Sequence, residues 1–277
     1  MPLTGQARIG LHASATPDIS AAEIAEFKAL RPGMIKVLSF HDPNAIQQLA
    51  KDHPNAHWVV RAFLSFGNRN ISPDQFVNDT IGDTKRTLAA LQGKNVVVEL
   101  HNEPNLTVEG LKSTWADGRA FNQWWLQVLG KYRQQLPNVR YIFPGLSPGP
   151  DAPNLRQADR PFLEACRPSI EAADGLGMHS YWSNPHFNMM THPDSGIPLV
   201  DDYIRRFPNK QIWVTEASDN LGNDWNTKAR EYMQFWQELQ KRPPVQGVTY
   251  FVASAAPGTF DHEVWVGHGI AAQLGAR

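Results

Sequence analysis

The chain holds 277 residues, of which 42% are hydrophobic and 19% charged, with a formal net charge of −1. That length and composition suit one large core and fit a single α/β barrel. Balanced charge, without a Lys/Arg cluster among aromatics, speaks against nucleic acid and anionic membranes as partners, and no apolar run reaches the roughly 18 residues of a membrane span.

ARIGLH, residues 7–12, is the first expected strand, and Ser20 with Glu23 makes a capping box for a helix carrying Ile24 and Phe27. MIKVLSF (34–40) is the second strand, followed at Asp42-Pro43 by a helix that stops before Pro54. HWVVRAF (57–63) precedes a helix opened by Ser72, Pro73 and Gln75, with Val77, Ile81, Leu88 and Leu91 as its apolar stripe. NVVVELH (95–101) leads to the strongest stripe, Phe121, Trp124, Trp125, Val128, Leu129 and Tyr132. RYIFPGL (140–146) is followed by helical pattern over 155–166. GLGMHSY (175–181) is followed by a long loop, 182–197, rich in aromatic, His and Met residues, and then by a helix over 200–207. QIWVTE (211–216) and a helix over 229–239, ended by Pro243-Pro244, come next; GVTYFVA (247–253) and a short helix near 268–274 complete the series.

Strand and helix thus alternate eight times with no linker between halves, which predicts one (β/α)8 barrel over residues 1–277. The strands are near-continuous apolar runs, as parallel strands covered on both faces are. A doubly wound sheet would bring a glycine-rich phosphate loop after its first strand, and LHASATPD (11–18) is not one.

In such a barrel, active sites occupy the loops beyond the C-terminal strand ends. Those ends carry His12, His41, Arg61, the His101-Asn102-Glu103 trio, His179 with Tyr181, Glu216 and Phe251. Glu103 ends the fourth strand and Glu216 the seventh, so the two can face each other across a pocket. Glycoside cleavage needs that arrangement: a carboxylic acid protonates the leaving oxygen while a carboxylate attacks or activates water. The nucleophile must be ionised, so Glu216 requires a cation or donors, which Arg61 and Tyr181 can supply. The acid must keep its proton near neutral pH, so Glu103 requires partial burial and the negative charge of Glu216 nearby. His179 and Tyr181 lie two apart and share one strand face.

VELHNEPN (98–105) and IWVTEAS (212–218) together resemble the signature of clan A glycoside hydrolases, and HSY (179–181) resembles the His-x-Tyr of family 5 members. The likeness spans the strand frame, and its motifs, also of family 39 type, cover few residues. It implies a retaining hydrolase that cleaves β-glycosidic bonds of a poly- or oligosaccharide without a cofactor, its carboxyl groups about 5–5.5 Å apart. Glu103 would be the acid/base, Glu216 the nucleophile, Asn102 the ligand of the sugar 2-hydroxyl, and Tyr181 and Arg61 partners of the nucleophile. The clan usually ends strand eight with a tryptophan platform; this chain has Phe251 there, leaving Trp182, Trp265 and Phe187 as further candidates for sugar stacking.

Glu99 shares the inward strand face and needs a cation, Lys36 or Arg61. Lys36 as a Schiff-base lysine is the weaker alternative, since it leaves the glutamate pair unexplained. His12, His41 and His101 are read either as substrate donors or as satisfied hydrogen-bonding groups, and no histidine spacing suggests a metal. Cys166, the single cysteine, reads as a small buried residue. MPLTGQARIG has no signal-peptide pattern, so the compartment stays open, and a monomer is the expected state. The rival function is a barrel that binds carbohydrate without cutting it.

Overall fold

A computed structural model describes residues 6–222 and 224–277. The elements follow one another as β1 (Arg8–His12), α1 (Ala21–Leu30), β2 (Met34–Leu38), α2 (Pro43–Asp52), β3 (His57–Ala62) and α3 (Pro73–Ala90). Then come β4 (Asn95–Leu100), α4 (Gly118–Gln135), β5 (Arg140–Phe143), α5 (Asp159–Ala165), α6 (Arg167–Ala172) and β6 (Gly175–Trp182). The chain ends with α7 (Gly196–Arg206), β7 (Ile212–Asp219), α8 (Trp225–Leu239), β8 (Val245–Tyr250) and α9 (Ile270–Gly275). The eight strands close into a parallel barrel in sequence order, with β8 paired to β1.

The helix starts form where local chemistry puts them. Ser20 and Glu23 make a reciprocal capping box, while Asp42 and Ser72 cap α2 and α3 through their side chains. The expected helix over 155–166 starts late, because residues 151–157 are tied elsewhere. Arg156 forms antiparallel bridges with Leu106 and Ala152, and the Asp151 carboxylate accepts from the Ala158 N–H. The helix there is split into α5 and α6. No helix of the described residues is long and apolar enough to cross a membrane.

The barrel interior has two unlike layers. Met34, Val59, Val97, Ile142 and Trp213 form an apolar plug at the N-terminal ends of the strands. Trp213 fits only because Gly175 faces it: a Cβ there would lie 2.1 Å from the indole. Two residues further along, the same strands present Lys36, Arg61, Glu99 and Thr215, all buried. Alternation along a strand puts i and i+2 on one face, so the polar layer sits directly above the plug and opens toward the C-terminal rim.

Candidate active site

Glu216 lies at the centre of the polar layer. Strands β6 and β7 pair Met178 with Val214 and then His179 with Glu216, so Thr215 bulges out of register. The bulge breaks the two-residue alternation: the Thr215 hydroxyl donates to Glu99 Oε1 at 2.7 Å, and the next residue, Glu216, also faces the interior. Glu216 Oε1 accepts from Lys36 Nζ at 3.1 Å and Arg61 Nη1 at 2.9 Å, and Oε2 accepts from the Tyr181 hydroxyl at 2.6 Å. Burial alone would raise its pKa. Its electrostatic interactions with His179, Lys36, Arg61 and His12 prevail and hold it well below the usual carboxylate range.

Glu103 faces it from the turn that follows β4. The backbone turns sharply there, with φ of +86° at His101 and +35° at Glu103, and the Glu103 N–H donates to the Gly145 carbonyl at 3.0 Å. His179 stands between the two acids, its Nδ1 2.9 Å from Glu103 Oε1 and 3.5 Å from Glu216 Oε2. Carboxylate oxygens of Glu103 and Glu216 lie within 4.8 Å of each other and of that nitrogen. The Glu103 side chain is 16% exposed against 6% for Glu216, so Glu103 is the acid that meets solvent. His179 needs Gly145 beside it, where a Cβ would come within 2.2 Å of the imidazole. Glu103, His179 and Glu216 have the spacing of a metal cluster; the two cations already on Glu216, Lys36 and Arg61, oppose a further one.

Asn102 completes the rim. Its Oδ1 accepts from Arg61 Nη1 at 2.6 Å and its Nδ2 donates to Glu109 Oε1 at 3.0 Å. His12 is buried, with its Nε2 3.9 Å from Glu216 Oε1. Burial, and then the Lys36 charge, keep that imidazole neutral by lowering its pKa well below the usual range. Phe251 packs edge-on against His12 and Phe260 at the end of β8 and is 7% exposed.

Four expected positions are buried in contacts with the protein itself. The φ of +86° at His101 breaks the strand alternation and turns its ring into a cage of Phe66, Phe76, Trp115, Phe121 and Trp124, where Nε2 bonds the Glu109 carbonyl at 2.9 Å. His41 is spent on backbone: Nδ1 accepts from the Leu38 N–H, and Nε2 bonds the Ser14 and Thr16 carbonyls. Trp182 is not in a loop but is the last residue of β6; it packs on Phe235 and donates to Glu231 at 2.7 Å. Trp265 is fully buried and stacks on Tyr232 and Tyr250. Neither tryptophan has a face free for sugar.

Other residues join the site beyond those named at the strand ends. Lys36, expected beside Glu99, does pair with Glu99 Oε2 at 2.9 Å but reaches Glu216 as well. Glu109 lies in the turn beyond Glu103, and burial pushes it up to about 7 against the opposing Asn102 amide and Arg61 charge. Glu263, in the segment after β8, is likewise raised by burial to about 7, against a Ser218 hydrogen bond and the Lys228 charge. Cys166 is buried as expected, its thiol donating to the Gly118 carbonyl.

No family model matches the sequence, and no curated protein matches it. Solved structures do match by shape. A GH128 (subgroup II) endo-β-1,3-glucanase from Sorangium cellulosum is 12% identical, with 97% of this chain and 96% of that chain covered at a TM-score of 0.60. The endo-β-1,4-mannanase from Thermotoga petrophila is 11% identical, with 91% and 69% covered at 0.55. A GH5-4 broad specificity endoglucanase from Clostridium acetobutylicum is 10% identical, with 96% of each chain covered at 0.58. At these identities the likeness is one of fold, and that fold is the closed eight-stranded parallel barrel of GH128 and GH5 glycoside hydrolases.

Proposed function

We propose that this protein is a retaining glycoside hydrolase that cleaves β-linked glycans, with Glu216 as nucleophile and Glu103 as acid/base. The observation that carries this is the pair itself: two carboxyl groups on one barrel rim, with oxygens within 4.8 Å of each other. A close approach of that kind supports attack by one carboxylate on the sugar rather than the wider spacing of an inverting pair. The fold likeness to proteins described as β-1,3-glucanase, β-1,4-mannanase and endoglucanase supports a β-glycan as substrate.

In the first step Glu216 attacks the anomeric carbon, the bond to the departing oxygen breaks, and Glu103 gives that oxygen its proton. In the second, Glu103, now a carboxylate, takes a proton from water; the water oxygen attacks the same carbon and releases Glu216. Lys36, Arg61 and Tyr181 keep Glu216 ionised and aimed, so the carboxylate needs no reorganisation before attack. Asn102 is clamped between Arg61 and Glu109, which leaves one amide hydrogen for the hydroxyl beside the anomeric carbon. Incubation with 2-deoxy-2-fluoro glycosides of several sugars, followed by peptide mass spectrometry, tests the assignment. Label on Glu216 is the expected result; label on another residue refutes it.

A further inference from the structure

A cavity of about 450 Å³ opens between the loops that follow β5 and β6, within the size range of small-ligand sites. It adjoins the carboxylate pair through Tyr181, which lines the cavity and whose hydroxyl holds Glu216. Ser147 and Arg156 form one wall, and Phe187 and His192 the other. Arg156 is braced by the Pro150 carbonyl at 3.1 Å and the Ser147 hydroxyl at 3.4 Å.

Phe187 is the unusual member. Its ring is half exposed, although the residue is apolar. The loop beneath it is held firmly: Ser183 and Phe187 exchange both backbone hydrogen bonds, at 3.1 and 3.0 Å, and Asn184 is tied to Glu231 and Met189. His192 backs the ring at 4.6 Å between centroids. An aromatic face presented to a polar groove by a braced loop is suited to stack on a sugar.

The groove also lies on a definite side. Glu103 donates its N–H to the carbonyl of Gly145 in the loop after β5, two residues from Ser147 in the groove wall. A departing sugar must present its oxygen to the acid, so its chain leaves on the side of Glu103. We propose that the groove is a binding site for the leaving-group sugars of a β-glycan, with Phe187 as its stacking platform, so that the enzyme cuts within a chain. This rests on the assignment of Glu103 and Glu216 made above.

The test compares two substrates of the same sugar, a soluble β-glycan and a glycosyl fluoride whose leaving group carries no sugar. Phe187→Ala is expected to lower kcat/KM on the glycan by up to about tenfold, and by at least about fivefold more than on the fluoride. Phe187→Trp retains the platform and is expected to keep the wild-type ratio; thermal melting verifies that both variants fold. Products of the wild type on a reduced oligosaccharide are expected to include leaving fragments of two or more sugars. Equal losses on both substrates, no loss on either, or release of single leaving sugars only would overturn the proposal while leaving the catalytic assignment intact. A wild type that turns over neither substrate and takes no fluoro-sugar label on Glu216 would overturn both.

Discussion

Lys36 Nζ stands 3.1 Å from Glu216 Oε1, fully buried, and the same ammonium group reaches Glu99 Oε2 at 2.9 Å. One cation is therefore divided between a carboxylate in the barrel interior and the carboxylate assigned to attack the sugar. Removing it as Lys36→Met raises the pKa of Glu216, so the acid limb of the kcat/KM profile is expected to move to higher pH. Glu99→Gln leaves the ammonium to Glu216 alone and moves that limb the opposite way. Lys36→Met strands the buried Glu99, which costs about 3–5 kcal/mol of stability. The double variant recovers most of that stability and, because the two charge changes oppose each other at Glu216, part of the pH shift; urea titration beside pH–rate profiles measures the two effects.

Glu103→Ala is expected to slow glycan hydrolysis by roughly 10²–10⁴, the usual contribution of a general acid. The bond-breaking step of a glycosyl fluoride needs little protonation of the leaving group, so its loss in that step is smaller. Single-turnover kinetics on both substrates measure the difference. An equal loss in that step would deny Glu103 the role of acid.

Tyr181→Phe removes the 2.6 Å donor to Glu216 Oε2 and nothing else of size. A hydrogen bond to a charged group contributes about 1.5–3 kcal/mol, so kcat/KM is expected to fall roughly tenfold to hundredfold. The same variant raises the Glu216 pKa, and the acid limb should move up with it.

Glu263 carries a pKa of about 7 in the fold, raised by burial. A raised carboxyl pKa gives stability that is fully present below the unfolded value and is lost as pH rises through the folded one. Glu263→Gln is therefore expected to change Tm little at pH 4 and to raise it at pH 8. Calorimetric melts at the two pH values decide this; an equal shift at both would deny the titration.

The aromatic residues divide in the same way. Trp182→Ala empties a packed site against Phe235 and Tyr232 and is expected to cost about 3–5 kcal/mol. Phe187→Ala removes a ring that is half exposed, and its stability change should stay within about 0.5 kcal/mol. Urea denaturation of both variants checks the contrast.

The sequence by itself determined the barrel and the rim. Eight apolar runs separated by capped amphipathic helices leave few other closed solutions, because each run must bury both faces. The ends of those runs therefore named Glu103, Glu216, Arg61, Asn102, His179 and Tyr181 without any coordinates. Only the tertiary structure decided which way side chains turn where the two-residue period fails. The bulge at Thr215 brings two successive residues to the interior, and the left-handed backbone at His101 sends that ring out to an aromatic cage. Burial of Trp182 and Trp265, the reach of Lys36 to Glu216, and the approach of Glu109 to Asn102 depend on partners from distant segments. Local pattern carries the strand and its capped helix; contacts between strands 180 residues apart, as at Lys36 and Glu216, carry the electrostatics of the site.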